Sequence, residues 1–269
     1  MKKLELVKLE HNVKVGDVCE YIEPNVTEDT LFLENGEPIG FFIKDISKYS
    51  EKASKLADLA NTELRSKNVP KTEMSRGPQG SKKDKIERIK KGINLVTQYS
   101  TILGSVPPKP HMRRPYPTIS SVHSVKTAQT FIKAMYKLCL ESEEIIKQIA
   151  PNIYDKQKKI FDEQVDKKWK FGNLFTSSIS NFNIAAGFHV DNGNIKDCVN
   201  VIITKRQNSK GGCTTVPDYN ATMDSCDNSI LVYPAWKNIH GVTPIIPTHE
   251  GGYRNSLVFY PLKAFVGLK

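Results

Sequence analysis

Gly187-Phe188-His189-Val190-Asp191, followed downstream by Asn238-Ile239-His240-Gly241-Val242-Thr243-Pro244, decides how this sequence is read. Residues two apart on an extended strand share a face, roughly 6–7 Å apart along the backbone. His189 and Asp191 can therefore reach one ion while Val190 packs behind them. A third ligand from another strand completes a two-histidine, one-carboxylate set, whose open positions suit non-haem iron(II) and oxygen chemistry. His240 is the candidate, because it follows the aromatic run SILVYPAW and opens another strand-like run. His249 competes for the role. It lies in the turn-like HEGGYRN just before Arg254, too near a hairpin tip to share a barrel interior with His189.

A His-x-Asp alone is unspecific. Arg254 adds weight, since it begins the strongly apolar YRNSLVFYPL, where an inward-facing guanidinium needs an anion to offset its desolvation. A dicarboxylate cosubstrate would provide one, bound bidentately, and Ser256 falls on the same face to donate a further hydrogen bond. Taken without the histidines, Arg254 reads better as a surface arginine beside a barrel mouth.

Outward from these motifs, the chain after Lys170 alternates short β-rich runs with turns: LFTSSISNFNI, GFHVD, CVNVIITK, SILVYPAW, IHGVTPI and SLVFYPL. That rhythm predicts a sandwich or barrel. Helical spacing is found before it, over about 48–65 (Leu56, Leu59, Ala60, Leu64) and 124–165 (Phe131, Met135, Leu138, Ile145, Ile149), the latter divided by Pro151. LFLENGEPIGFFI at 31–43 predicts a hairpin about Asn-Gly. A glycine- and lysine-rich passage leads into a short basic helix, and prolines 107–117 make an extended connector. The expected order is helices first and then a barrel, in a single domain over 1–269: hairpin, basic segment and supporting helices in 1–170, the principal metal-binding β-core in 171–269.

At 269 residues with 39% hydrophobic and 25% charged residues, the composition is that of a folded globular chain. No apolar run approaches the roughly 20 residues of a membrane helix, and the N-terminus lacks a secretory pattern, so the expectation is a soluble intracellular protein. Five cysteines without a Cys-x-x-Cys pair predict reduced, packed thiols. The net charge of +10 is uneven, −4 over residues 1–50 and +9 over 51–120. A local basic block favours a polyanionic partner, although a solvated lysine-rich surface fits equally.

The wording is more specific than the spacing. FTSSISNFN leading to HVD, then KGGCTTVP, then HGVTPI and YRNSLVFYPL, resembles the TET/JBP family of 5-methylpyrimidine dioxygenases over about 172–262, with an echo in GEPIGFFI. The resemblance implies an α+β fold with a double-stranded β-helix (jelly-roll) core, iron(II) as cofactor and 2-oxoglutarate and O2 as cosubstrates. It implies DNA as substrate, with 5-methylcytosine slightly favoured over thymine. His189, Asp191 and His240 would hold the metal, and Arg254 and Ser256 the far carboxylate of 2-oxoglutarate. No basic residue falls between Phe182 and Phe188, where relatives commonly have one, and Asn183 is the substitute for that contact. Asn194 could present a polar group to a base, or simply make a turn. Lys82, Lys83, Lys85, Arg88, Lys90 and Lys91 could grip the phosphate backbone, while the iron pocket receives a flipped base. Other readings are a 2-oxoglutarate oxygenase of a free nucleotide, protein or metabolite, a non-catalytic nucleic-acid-binding protein, and a cupin-like metalloprotein without the cosubstrate. No membrane association and no protein partner are inferred.

Overall fold

A computed structural model describes residues 1–73, 97–110 and 114–268. Asn35 and Gly36 of the predicted hairpin both take positive φ, 53° and 79°, the backbone of a tight turn matched to strand twist. They join β2 (Thr30–Glu34) to β3 (Glu37–Ile43). With strands numbered in chain order, the large sheet runs β1 (Lys2–Glu5), β2, β3, β13 (Ile230–Tyr233), β9 (Asn200–Gln207), β16 (Tyr253–Tyr260), β7 (Ser177–Phe182), β5 (Tyr99–Val106), β4 (Thr72–Glu73). Off that path β6 (Thr118–Ile119) pairs with β5. The smaller sheet runs β12 (Ala221–Met223), β11 (Thr214–Val216), β14 (His240–Val242), β8 (Ala186–His189). A ribbon of β10 (Ser209–Gly211) and β15 (Ile245–Pro247) stands apart.

From β7 onward the chain steps between the large and small sheets, β7 to β8 to β9, then β11 and β12 to β13 to β14 to β16. This alternation winds a double-stranded β-helix, and with its helices the fold is α+β.

The helices α1 (Glu51–Arg65), α2 (Gln129–Ile149) and α3 (Pro151–Gln164) match the predicted helical spacing, and Pro151 opens α3 at a position where its missing N–H costs nothing. On β16 the odd residues Leu257 and Phe259 join Val201, Ile203, Ile230 and Val232 in one core with Phe131, Met135 and Leu138 of α2. The face of α1 in that core is Ala53, Ala57, Ala60 and Leu64. Leu59, expected inside, is 41% exposed; the helix presents its row of alanines instead, small enough to bring it close to the sheet. Lys205, buried on β9, ties the sheet to α1 through Asp58 at 2.7 Å and also meets Asp227 at 2.9 Å.

The expected order of helices first and barrel second holds only in part, because β1, β2, β3 and β5 all belong to the large sheet. β5 is nearly buried along its whole length, so it shows none of the polar–apolar alternation by which a strand is recognised. The basic segment with Lys82, Lys83, Lys85, Arg88, Lys90 and Lys91, and His111 and Arg113 of the connector, lie outside the described residues. All five cysteines are free. No helix among the described residues is long and apolar enough to cross a membrane.

The opposite face of the large sheet looks into the roll. At its β3–β13 end Phe42, Leu231 and Tyr233 meet Val216, Ala221 and Met223 of the smaller sheet and fill the space. At its β9–β16–β7 end the space is a cavity of about 340 Å³ walled by Ile179, Ile202, Val242 and Val258.

Candidate metal centre

Three side chains converge on this cavity. In the antiparallel pairing of β14 with β8, His240 lies directly opposite His189, with ring centroids 4.3 Å apart. Asp191 stands just past the end of β8, where its N–H donates to Ala235 O at 3.1 Å. Its Oδ1 is 3.6 Å from His189 Nε2, and the three ligand atoms lie within 4.8 Å of one another. Each histidine donates Nδ1–H to a backbone carbonyl, His189 to Gly187 O (2.8 Å) and His240 to Asn238 O (3.1 Å). A carbonyl only accepts, so the tautomer is fixed and both Nε2 lone pairs are left for a metal. Burial, and then the neighbouring His189, lower the His240 pKa to about 4, so this ring is neutral near pH 7.

Asp191 Oδ2 accepts from Asn200 Nδ2 (3.1 Å) and Asn194 Nδ2 (3.4 Å), and Asn194 also donates to Asn200 Oδ1 (2.9 Å). These bonds turn Oδ1 toward the histidines. Asn194, read as facing a base or making a turn, makes the turn through its N–H to Asp191 O at 2.9 Å; it is 5% exposed, borders the cavity and donates to the Asp191 carboxylate. His249 lies in the exposed turn before β16, bonded to Thr248.

At the other end of the same cavity stand Arg254 and Ser256, both buried and both on the inward face of β16. Arg254 is 2% exposed, and its Nε has no acceptor among the described residues. Burial, and then Arg206 opposite it on β9, push its pKa down to about 9. Such a guanidinium is a site for an anion. Gly212 makes room for it: φ is +64°, and a Cβ there would lie 3.2 Å from Arg254 Cδ and 2.9 Å from Ile245 Cγ1.

Asn183 does not join the site. Its Oδ1 accepts from Arg254 N (2.9 Å) and its Nδ2 donates to Thr97 O (3.2 Å), so its amide is consumed in fixing the start of β16. Asn181, two residues earlier, lines the cavity instead. Sequence reasoning missed it, along with Asn200 and Tyr233, whose ring stands edge-on to His240 at 5.4 Å. The signal for Asn200 was available: it begins the apolar β9 and shares the face of Ile202.

Fold and site together define a double-stranded β-helix that gathers two histidines and a carboxylate opposite a buried arginine whose Nε has no acceptor among the described residues. No family model matches the chain, and no curated protein matches it. Among solved structures it is similar to NgTET1 in complex with 5mC DNA, with TM-score 0.56 and 12% identity, covering 93% of this chain and 84% of that one. Two others are a full-length Neurospora crassa protein in complex with alpha-KG (TM-score 0.41, 11% identity, 82% and 75% covered) and OsALKBH1 (0.39, 13%, 90% and 100%). The likeness to NgTET1 shows a common fold.

Proposed function

We propose that this chain is an iron(II)- and 2-oxoglutarate-dependent dioxygenase that hydroxylates the C5-methyl group of a pyrimidine in DNA, with 5-methylcytosine slightly favoured over thymine. The observation that carries the reading is one cavity with a metal-ligand triad at one end and, at the other, a buried guanidinium whose Nε has no acceptor among the described residues. A dicarboxylate that chelates a metal through one end and meets Arg254 through the other satisfies both. When bound, iron(II) and 2-oxoglutarate supply the oxidation: O2 gives one oxygen atom to succinate as CO2 leaves, and the other to the methyl C–H bond. The chain's own part is orientation. His189, Asp191 and His240 face the ion, Arg254 and Ser256 hold the far carboxylate, and Ile179, Ile202 and Val258 keep water from the centre.

The choice of DNA is supported by the sequence resemblance, by a fold like that of NgTET1 solved with 5mC DNA, and by the +9 charge of residues 51–120. A stacked base cannot bring its methyl group to a walled cavity, so the target base is flipped out. Anaerobic loading with iron(II) and 2-oxoglutarate, then aerobic incubation with methylated and unmethylated DNA and nucleoside mass spectrometry, tests the reading. Succinate and 5-hydroxymethylcytosine are expected, and neither from His189→Ala. If no DNA yields a hydroxymethylpyrimidine while a free nucleotide, protein or metabolite is hydroxylated, the reaction stands and the target is wrong. If 2-oxoglutarate is never consumed, the whole reading falls.

A further inference from the structure

Residues 6–27 precede β2 and run against the smaller sheet. Leu9 N–H donates to Asp218 O at 2.7 Å, Gly16 N–H to Phe188 O at 2.8 Å, and Phe188 N–H to Asp17 O at 2.9 Å. Residues 16 and 17 thus extend the sheet beside β8, one residue from His189. The approach is close enough that a Cβ on Gly187 would lie 2.8 Å from Asp17 O.

The same segment reaches the other metal histidine through a directed chain of hydrogen bonds. Val13 N–H donates to His11 Nδ1 (3.2 Å), which puts the ring proton on Nε2, and His11 Nε2–H is 2.6 Å from Asp218 Oδ1. Asp218 Oδ2 accepts from Asn238 Nδ2. Asn238 O in turn receives Nδ1–H of His240 at 3.1 Å. Every donor and acceptor along this path has a defined direction, and Asp218 and Asn238 are 6% and 7% exposed. A carboxylate kept from water has to be hydrogen-bonded, and both oxygens of this one are spent on the N-terminal segment and on the loop that carries the His240 acceptor.

We propose that His11 and Asp218 are positioning residues for His240: through Asn238 they fix the carbonyl that orients the imidazole, so the N-terminal segment is part of the metal centre. The inference rests on His240 being a metal ligand, as in the proposed function. Losing a partner that orients a metal ligand typically costs about 10- to 100-fold in metal affinity. His11 is only partly buried and belongs to none of the hydrophobic core clusters, so its replacement removes no core packing.

The test titrates the full chain with cobalt(II) alone, followed by its visible absorption, and records thermal unfolding of the metal-free protein. The variants are H11F, H11Q, D218A and, as a control, H240A. Expected are a roughly tenfold weaker cobalt(II) affinity in H11F with metal-free unfolding unchanged, recovery in H11Q, whose amide can still donate to Asp218, and a loss toward a hundredfold in D218A. Parental affinity in both H11F and D218A overturns the inference while H240A still loses the metal. A fall in affinity matched by an equal fall in metal-free stability, without recovery in H11Q, also overturns it, because the residues then only support the fold. If H240A binds cobalt(II) as the parent does, the ligand assignment itself is wrong and the inference goes with it.

Discussion

Replacing Arg254 with methionine separates the stability of the fold from the function of the site. The guanidinium is 2% exposed, has an Nε without an acceptor among the described residues, and has its pKa pushed down to about 9 by burial and by Arg206. Without its anion the charge is a liability. Exchanging buried ionic groups for apolar ones of similar volume is often neutral or stabilising by about 1–4 kcal/mol, and for a chain of this size each kcal/mol moves Tm by about 2–4 °C. R254M is therefore expected to unfold a few degrees above the parent when both are free of metal and cosubstrate. Ligand shifts the balance toward the parent. 2-Oxoglutarate at about 100 times its Kd adds about 2.7 kcal/mol to the parent, whereas R254M loses about 3–5 kcal/mol of the pairing, roughly 10²- to 10³-fold or more in affinity. Scanning fluorimetry across a 2-oxoglutarate titration, with isothermal titration calorimetry of the cobalt(II)-loaded protein, reads both effects. A ligand-free R254M several degrees less stable than the parent would refute the reasoning, because the arginine would then be satisfied from within the chain. Undiminished stabilisation of R254M by 2-oxoglutarate would refute it from the other side.

Four further outcomes are expected. N200A leaves Asp191 Oδ2 with its weaker partner Asn194 alone, so cobalt(II) affinity should fall about 10- to 100-fold; parental affinity would mean that Asp191 is oriented by something else. G212A places a Cβ against Arg254 and Ile245 at a positive φ and should cost about 1–3 kcal/mol by urea unfolding while weakening 2-oxoglutarate more than metal, an ordering that equal losses would contradict. Glu143 is buried, which raises its pKa against the hydrogen bonds from Asn173 and Leu174. Its folded pKa therefore lies above the unfolded one, and stability present at low pH is lost as pH rises from the ordinary glutamate range through the folded value; E143Q should flatten that part of the urea-midpoint profile, and an unchanged profile would exclude Glu143 as its source. Neutralising Lys82, Lys83, Lys85, Lys90 and Lys91 together should weaken DNA binding and lower the slope of log affinity against log salt by about one unit per lost phosphate contact, whereas an unchanged slope would make the block a solvated surface.

The sequence by itself determined the strands and their facing. Period-two spacing put His189 with Asp191 and Arg254 with Ser256, and the lone arginine in an apolar strand already called for an anion, because alternation along a strand is local geometry that needs no knowledge of neighbours. The Asn-Gly hairpin and the Pro151 break were legible for the same reason. What only the tertiary structure decided is how those faces are completed from far along the chain. β5 hid because burial on both faces erases alternation, and Leu59 was misassigned because helical spacing cannot say which side of a helix meets an alanine-sized gap. From the sequence Asn183 could touch a ligand, and Asn194 could touch one or simply make a turn. Whether an amide is free depends on what else reaches it, and here Thr97, the backbone of Arg254, Asp191 and Asn200 do. His11 is separated from its partner Asp218 by 207 residues, a distance at which no local pattern carries information, so its connection to His240 exists only in the folded chain.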